Sequence, residues 1–344
     1  MKILGIDTSC DDTSAAIVAD GETILSNIVN SQVKLHYPYG GVVPELASRE
    51  HIRNIVPVVD EALSKAGIDI KKLDGIAVTV GPGLIGSLLV GLYFAKGLAY
   101  VNRVPMAAIN HLEGHVLSIM LEKDMPEFPF VAMTVSGGHT SLYHVKGFGN
   151  YKLMGQTLDD AAGEAFDKVA KILGLGYPGG PIIEQHAKSG RRDVIKFPRA
   201  IMGRDSLDFS FSGLKTAVSL YFGKWGEDES LQKEITTADI AASFQEAVID
   251  ILIKKLCRAR ERTGVDRVVV AGGVACNSAL RVQLNDVAGK KRFSLYFPRP
   301  EFCTDNGAMI ALAGYHRIAR GETADLSVDV RSRFPISDLA SLKV

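Results

Sequence analysis

Two histidines four residues apart are the sharpest chemical feature of the sequence, in the segment His111-Leu-Glu-Gly-His115. Residues i and i+4 of a helix share one face, so both imidazoles can reach one metal ion. The spacing differs from the H-E-x-x-H motif of zinc proteases, and Glu113 falls on another side of the helix. A third ligand must come from elsewhere, and Asp305 near a predicted helix start is a candidate. The alternative is a surface helix with two partly exposed histidines.

A glycine-rich turn, Ser136–His139, follows a predicted strand and is a candidate phosphate-binding loop. Gly137 and Gly138 lack a Cβ atom, so their backbone N–H groups could approach phosphate oxygens closely. The turn Thr8–Asp12 offers hydroxyls at the equivalent place in the first half of the chain. An ordinary pair of hairpin turns is the alternative for both segments.

Carboxylates cluster in the first of these turns. Asp7, Asp11 and Asp12 could hold Mg²⁺ or orient a water molecule, because hard cations take oxygen ligands. Asp11 and Asp12 are our candidates for catalytic groups.

A second glycine pair, Gly272-Gly273, ends an apolar strand and precedes a helix. Open α/β sheets place ligands at this strand edge. Asn277 follows, where it could read a ribose or adenine, or alternatively cap the helix. Gly180, in Pro-Gly-Gly after Tyr177, is a further candidate for close approach to a nucleotide.

Strands and helices alternate along the chain, which predicts an α/β fold with a largely parallel sheet. Three predicted strands (residues 2–7, 14–19 and 23–30) precede a helix over 44–66, and the same order of elements begins again near Phe128. This repeat predicts two related lobes. We place lobe I at residues 1–125, completed by 305–344, and lobe II at 126–304. The last twenty residues are typical of a surface tail.

Composition restricts the class of protein. Lys plus Arg and Asp plus Glu number 39 each, so bulk charge gives no indication of a nucleic-acid partner. Any RNA contact must come from local basic clusters: Arg191-Arg192 with Lys196 and Arg199; Lys254-Lys255 with Arg258, Arg260 and Arg262; and Lys290-Lys291-Arg292. The start lacks the pattern of a signal peptide, and the apolar stretch 84–101 is typical of a core helix. The four cysteines form no C-x-x-C pair, as expected of free thiols in the cytoplasm.

Seven motifs in order resemble the TsaD family, the tRNA N6-adenosine threonylcarbamoyltransferases, over about residues 2–319. The Ser-Gly-Gly-His form of the loop resembles its bacterial branch. The motifs are Ile-Asp7-Thr-Ser-Cys-Asp-Asp12-Thr, His111-x-x-x-His115, Val135-Ser-Gly-Gly-His139-Thr, Ala-Gly-Glu-Ala-Phe-Asp167-Lys, Tyr-Pro-Gly-Gly180-Pro, Phe-Ser-Phe-Ser-Gly-Leu-Lys215 and Gly-Gly-Val-Ala-Cys-Asn277.

The resemblance implies a duplicated actin/Hsp70/sugar-kinase-like (ASKHA) fold with a nucleotide cleft between the lobes. It implies one divalent metal ion, Fe²⁺ or alternatively Zn²⁺, held by His111, His115 and Asp305, and leaves room for Mg²⁺. It also implies substrate or nucleotide contacts at Ser9, Val135, Ser136, Gly137, Gly138, His139, Asp167, Gly180, Glu184, Gly272, Gly273 and Asn277.

The implied reaction moves a threonylcarbamoyl group from threonylcarbamoyl-AMP, made by a separate synthase, to N6 of the adenosine 3′ of the anticodon in tRNAs that read codons beginning with A. The implied partners are tRNA, a non-catalytic TsaB-type paralogue and a small TsaE-type P-loop ATPase, in the cytoplasm and without a membrane. Two residues depart from the family pattern: many relatives have Glu at Asp12 and Asp at Glu184.

Three other functions fit parts of the pattern. A small-molecule kinase of the same fold would need no histidine pair. A metalloprotease is suggested only by His-x-x-x-His and lacks the H-E-x-x-H glutamate. A non-catalytic scaffold would not need an intact set of metal ligands.

Overall fold

The computed structural model describes residues 1–200, 203 and 205–342. The strands are β1 (Lys2–Asp7), β2 (Asp12–Ala19), β3 (Thr23–Ser31), β4 (Gly75–Gly81), β5 (Met106–Asn110), β6 (Phe130–Val135), β7 (Thr140–Gly147), β8 (Asn150–Gln156), β9 (Arg267–Ala271) and β10 (Ser294–Tyr296). The α-helices are α1 (Val33–His36), α2 (Pro44–Ala66), α3 (Ile85–Asn102), α4 (His111–Leu117), α5 (Ala162–Ile172), α6 (Gly179–Ala187), α7 (Ser212–Glu227), α8 (Glu229–Glu234), α9 (Thr237–Thr263), α10 (Ser278–Lys291), α11 (Pro300–Cys303) and α12 (Gly307–Ala319). Short 3-10 turns cover Tyr37–Tyr39, Ile70–Lys72, Ser118–Leu121, Gly273–Cys276 and Ile336–Leu342.

The described residues form two compact units. Unit 1 comprises Met1–Pro126, Gly147–Tyr151 and the described residues from Pro298 onward, and unit 2 comprises Glu127–Lys146 with the described part of Lys152–Phe297. The lobe boundaries set from the sequence stay a prediction.

Each unit is built on one five-stranded sheet. The strand order is β3-β2-β1-β4-β5 in unit 1 and β10-β9-β6-β7-β8 in unit 2. In both sheets the first strand pairs antiparallel with the second and parallel with a later strand. The predicted α/β class and the repeat of the three-strand meander are therefore present in the fold. The prediction of a largely parallel sheet is wrong, because the meander strands pair antiparallel and both sheets are mixed.

Helix α12 packs directly on the sheet of unit 1, and small residues allow this close approach. A Cβ atom on Gly5 of β1 would lie 2.3 Å from the backbone nitrogen of Ala311, and one on Gly314 would lie 2.2 Å from the Cβ of Ala77. Asp305 stands two residues before α12. The packing of this helix therefore sets where the Asp305 carboxylate can reach.

Local signals placed α2 correctly. Pro44 occupies its first turn, and Gly67 ends it with φ 64° in the left-handed region. Asp20 and Gly21 both have positive φ, as is typical of an Asp-Gly pair in a two-residue hairpin turn.

Helix α4 ends at Leu117, and the chain continues as a 3-10 turn. One sequence prediction about unit 1 is wrong. The C-terminal segment is not a loose surface tail, because Phe334, Ile336 and Leu339 are buried. The segment is also tied to the sheet edge, where the Arg331 N–H donates to the Val80 carbonyl at 2.8 Å. Burial of these apolar side chains depends on partners far away in the sequence, which local composition does not reveal.

One helix within the described residues, α3, is long and apolar enough to cross a membrane, with a mean hydropathy of 1.2 and 33% of that stretch buried. Its buried residues include Leu88, Leu92 and Ala95. They lie on the side that packs against β4 and α2. This packing is that of a helix covering one face of an α/β sheet, as the sequence predicted.

Candidate metal centre and glycine loops

Unit 1 brings His111, His115 and Asp305 together. Nε2 of His115 lies 3.1 Å from Oδ1 of Asp305, and Nε2 of His111 lies 3.4 Å from the same oxygen. Ligand atoms of the three residues all lie within 4.8 Å of one another. The two histidines are 5% and 0% exposed, so the alternative of partly exposed surface histidines is wrong.

The end of β5 fixes the start of α4. Asn110 caps the helix, since its Oδ1 accepts from the N–H of Leu112 at 2.8 Å and from that of Glu113 at 3.3 Å. Its Nδ2 donates to the Phe334 carbonyl at 2.7 Å. One fully buried amide therefore joins the strand, the helix that carries both histidines and the C-terminal segment.

Asp305 is free to meet the histidines because it does not cap α12. Asn306 is the N-cap, and its Oδ1 accepts from the N–H of Met309 at 3.0 Å. With the cap supplied by the next residue, the Asp305 carboxylate points away from the helix backbone and toward His115.

Asp7, at the end of β1, orients His111. Its Oδ2 lies 3.2 Å from Nδ1 of His111, and Asp7 is fully buried. Its oxygens also accept from the N–H of Ser9 at 3.2 Å and from the Ser9 hydroxyl at 3.3 Å. A carboxylate on the outer nitrogen of a ligating histidine fixes the ring and its tautomer.

The electrostatics of this cluster suit a cation. Burial lowers the pKa of His111, but the carboxylates of Asp7 and Asp305 outweigh it and hold that pKa well above its usual value. A buried positive charge is therefore favoured at this place. Two imidazole nitrogens and one carboxylate oxygen also make the three-ligand set of sites that keep a coordination position open. The residues present fit a divalent metal ion.

Two further carboxylates lie beside this cluster. Burial first, and the nearby Asp305 charge second, raise the pKa of Asp12 to about 7. Oδ1 of Asp12 is buried without a hydrogen-bond partner among the described residues. Burial also raises the pKa of Asp11. A carboxyl group that titrates near neutrality suits general acid–base work, and no local sequence signal could have revealed this pKa.

In unit 2 the turn Ser136–His139 presents open backbone. The N–H of Ser136 donates to the His139 carbonyl at 2.8 Å, and the N–H of His139 donates to the Ser136 hydroxyl at 3.2 Å. Gly137 and Gly138 are exposed, and a Cβ atom on either would meet no atom within 4 Å. Packing therefore does not require glycine at these two positions.

Other glycines of the predicted loops differ in this respect. Gly272 has φ +93°, and a Cβ there would lie 2.4 Å from the Val135 carbonyl oxygen, whereas Gly273 and Gly180 have open space. Asp167 accepts from the N–H of Gly179 at 2.7 Å at the start of α6. The backbone conformation and close packing at Gly272 thus require glycine, whereas packing does not require it at Gly180 or Gly273.

Asn277 caps α10, as the capping alternative predicted. Its Oδ1 accepts from the N–H of Leu280 at 2.9 Å, and its Nδ2 donates to Oε1 of Gln245 at 2.7 Å. Glu184 accepts from the N–H of Ser278 at 2.9 Å. Gln245, Glu184 and Ser278 line a cavity of about 170 Å³ in unit 2.

The predicted site residues thus fall into two groups. Unit 1 holds Ser9, Asp11, Asp12, His111, His115 and Asp305; unit 2 holds Val135, Ser136, Gly137, Gly138, His139, Asp167, Gly180, Glu184, Gly272, Gly273 and Asn277.

Many basic residues proposed as RNA contacts are engaged within the fold. Both Nε and Nη2 of Arg191 donate to the Asp239 carboxylate, each at 3.0 Å. Lys255 is buried and donates to the Ser206 carbonyl at 2.7 Å. Further ion pairs are Arg199 with Asp250, Arg260 with Asp266, Arg262 with Asp205 and Lys291 with Glu261. In the part of the chain that the structure describes, Lys196, Lys254, Lys290 and Arg292 are exposed and form no ion pair.

Residues 23–312 match the model of a family described as TsaD: tRNA N6-adenosine threonylcarbamoyltransferase. Among solved structures, component A of the Acidaminococcus fermentans (R)-2-hydroxyglutaryl-CoA dehydratase is similar, with 17% identity, a TM-score of 0.55 and coverage of 93% of this chain and 99% of that chain. The activator of the Clostridium difficile 2-hydroxyisocaproyl-CoA dehydratase, solved with ADPNP, shows 15% identity, a TM-score of 0.54 and coverage of 95% and 100%. HypF from T. kodakarensis shows 16% identity, a TM-score of 0.61 and coverage of 92% and 48%. These likenesses confirm the ASKHA-type fold.

Proposed function

The chain belongs to the TsaD family of tRNA N6-adenosine threonylcarbamoyltransferases, and from that premise we propose its substrates and the residues that handle them. It is a transferase of the acyltransferase type. The donor is threonylcarbamoyl-AMP, and the acceptor is N6 of the adenosine 3′ of the anticodon in tRNAs that read codons beginning with A. The observation that carries the proposal is the preformed cluster of His111, His115 and Asp305 within a chain that matches the family.

The reaction exchanges one bond for another. A bond forms between N6 of the adenosine and the carbamoyl carbon, the bond from that carbon to the phosphate oxygen breaks, AMP leaves, and N6 loses a proton. The donor is already an activated anhydride, so the protein must chiefly orient a weak nucleophile against it. Asp12, whose pKa lies at about 7, is our candidate acceptor for the proton, with Asp11 beside it.

His111, His115 and Asp305 would hold one divalent metal ion, Fe²⁺ by resemblance or Zn²⁺. Such an ion, when bound, supplies Lewis-acid stabilisation of negative charge. Asp7 keeps His111 turned toward that position through its 3.2 Å contact with Nδ1. Asp11 and Asp12 could additionally take Mg²⁺ with the nucleotide, because both are carboxylates.

Adenine nucleotide is the ligand that we assign to the loops of unit 2. A Cβ atom on Gly137 or Gly138 would meet no atom of the fold, so packing does not explain why both residues are glycine. Close approach of their backbone N–H groups to phosphate oxygens would explain it, which supports phosphate binding. Gly180 and Gly273 provide similar open space. Asp167 accepts a hydrogen bond at the start of α6, and Glu184 and Asn277 both accept one at the start of α10. A structural neighbour of the same fold was solved with ADPNP bound, which is consistent with nucleotide binding on this architecture.

The metalloprotease alternative loses its general base in this structure. Glu113 is 2% exposed, and its carboxylate accepts from the Tyr151 hydroxyl at 3.0 Å and from Arg317 at 2.8 Å. A protease base must instead face a metal-bound water. The kinase alternative leaves the buried histidine pair without a purpose, and a non-catalytic scaffold leaves the whole ligand set without one.

The remaining proposals concern partners and compartment. We assign tRNA as substrate, a TsaB-type paralogue and a TsaE-type ATPase as partners, a separate synthase as the donor's source, and the cytoplasm as location. Exposed Tyr93 and Tyr100 on α3 offer an apolar surface for a protein partner.

Mass spectrometry of tRNA nucleosides tests the function. The chain is incubated with the partner proteins, threonine, bicarbonate, ATP and unmodified tRNA, and threonylcarbamoyladenosine is the expected product. An Asp305→Asn variant is the control, which should lose the product while remaining folded. Absence of the product from the complete system, together with phosphorylation of a small metabolite by the chain alone, would favour the kinase instead.

A further inference from the structure

A buried ion pair lies on the side of α4 away from the histidines. Nε and Nη2 of Arg317 donate to Oε2 of Glu113 at 3.1 and 2.8 Å, and the Tyr151 hydroxyl donates to Oε1 at 3.0 Å. Glu113 and Arg317 are 2% and 4% exposed. Burial and the neighbouring Glu113 charge raise the pKa of Tyr151 well above its usual value, so this phenol keeps the proton that it donates.

The pair joins the two helices that carry the metal ligands. Glu113 belongs to α4, which holds both histidines, and Arg317 belongs to α12, which begins two residues after Asp305. The two helices touch, because a Cβ on Gly114 would lie 3.0 Å from Cδ1 of Ile310. Arg317 also lies 3.5 Å from Glu322 through Nη1, which holds the guanidinium from its other end.

The position of Glu113 on its helix gives the pair a geometric role. Residues of an α-helix are about 100° apart around the axis, so Glu113 stands about 200° from each histidine. Two guanidinium N–H groups that donate to one carboxylate oxygen, with a phenol on the other oxygen, constrain direction, unlike an apolar contact. A fork at this position therefore resists rotation of α4 about its own axis. Such a rotation would move both Nε2 atoms relative to Asp305.

The family match covers only one member of this pair, Glu113. Arg317 lies outside the matched residues 23–312. The mechanism proposed above also makes no use of either residue, since neither faces the cluster of ligand atoms. Burying two charges costs free energy that packing alone would not require, because an apolar pair of similar volume is often as stable.

We propose that Glu113 and Arg317 are positioning residues that set the rotation of α4 and thereby the spacing of His111, His115 and Asp305. This inference rests on the metal site proposed above. A purely structural pair would affect folding stability and metal affinity in parallel. A positioning pair would affect metal affinity even where stability is restored.

Titration of metal-free protein with Zn²⁺, followed by calorimetry, tests the proposal together with thermal unfolding of the same samples. Arg317→Lys keeps the positive charge but loses the fork, and we expect Zn²⁺ affinity to fall about 10–100-fold, the usual range for residues that orient ligands. Glu113→Gln should give a similar fall. The double variant Glu113→Leu with Arg317→Met removes both charges, and we expect it to recover thermal stability while Zn²⁺ affinity stays low.

A control breaks a half-buried ion pair, between exposed Arg191 and buried Asp239, that lies far from the metal ligands in sequence. Asp239 is 3% exposed and pairs with Arg191 in unit 2, so Asp239→Asn should lower thermal stability and leave Zn²⁺ affinity unchanged. Wild-type Zn²⁺ affinity in Arg317→Lys, or its recovery in the double variant, would overturn the positioning role. A wild-type protein that binds no Zn²⁺ or Fe²⁺ would instead remove the metal site itself, a distinguishable failure.

Discussion

The candidate metal centre of unit 1 and the glycine loops of unit 2 are built by opposite means. The centre consists of buried side chains that already point at one another, with Nε2 of His115 3.1 Å from Asp305 and Asp7 behind His111. The turn at Gly137 and Gly138 consists of exposed backbone with open space where a Cβ atom would lie. The comparison teaches that packing fixes the side chains of the first cluster, whereas packing does not dictate the residue type at Gly137 and Gly138.

The glycines of unit 2 sharpen this contrast. Gly272 adopts φ +93° and lies too close to Val135 for a side chain, so the fold itself requires glycine there. Gly138 is subject to no such requirement. Substitutions at the two positions should therefore fail for different reasons, one through folding and one through binding.

The largest effect is expected at the packed site. His111→Ala with His115→Ala should reduce bound metal from about one ion per chain to none, because one carboxylate cannot hold the ion alone. Elemental analysis of purified protein measures this. His186→Ala, on α6 of unit 2, is the control and should keep its metal. Undiminished metal in the double variant would show that the ion sits elsewhere.

A large effect on stability is expected at Asp12. Its pKa in the folded protein is raised from 3.8 to about 7. The fold therefore favours the protonated carboxyl group. The contribution of Asp12 to the free energy of unfolding is fully present below about pH 4 and is lost as the pH rises through about 7. Asp12→Asn carries no charge, so it should stabilise the metal-free protein at pH 8 by at most about 4 kcal/mol and have little effect near pH 4. Denaturant unfolding across this pH range measures the difference, and a constant difference at all pH values would contradict the assignment.

An intermediate effect is expected at the open loop. Gly138→Val should leave unit 2 folded, because its Cβ meets no atom within 4 Å, yet it should weaken ATP binding by tenfold or more, about 1.4 kcal/mol. Gly272→Val should instead lower the melting temperature. Calorimetric titration and thermal unfolding separate the two outcomes. Gly147→Val, at another open glycine, is the control for the steric change alone, and unchanged ATP affinity in Gly138→Val would place the nucleotide elsewhere.

The smallest effect is expected on the surface. Lys290→Glu should weaken tRNA binding a few-fold at low salt and leave ATP binding intact, because a phosphate contact contributes a modest, salt-dependent share of the affinity. Charge reversal at Arg191 is a poorer test, since it would also break the contact with Asp239, whose side chain is buried. Filter binding at two salt concentrations measures the change. A loss of affinity that does not depend on salt would argue against a phosphate contact at Lys290.

The sequence by itself determined the features that depend on near neighbours along the chain. The spacing of His111 and His115 already placed both imidazoles on one helix face, and Pro44 and Gly67 marked both ends of α2. The order of strands and helices predicted the duplication that the two sheets display. These features follow from helix and strand periodicity and from the backbone preferences of proline and glycine, which act over a few residues.

Only the tertiary structure decided the features that depend on distant residues. Asp305 reaches His115 across 190 positions of sequence, and Arg317 reaches Glu113 across 204. The pKa of Asp12 is raised by burial among groups that folding brings together. The local sequence around Asp12 does not indicate that burial. The C-terminal segment has a polar, loop-like sequence, yet Phe334 is buried. Its carbonyl accepts a hydrogen bond from Asn110, the N-cap of α4. Desolvation and long-range charge contacts exist only once the chain has folded, and for that physical reason they could not be predicted from local pattern.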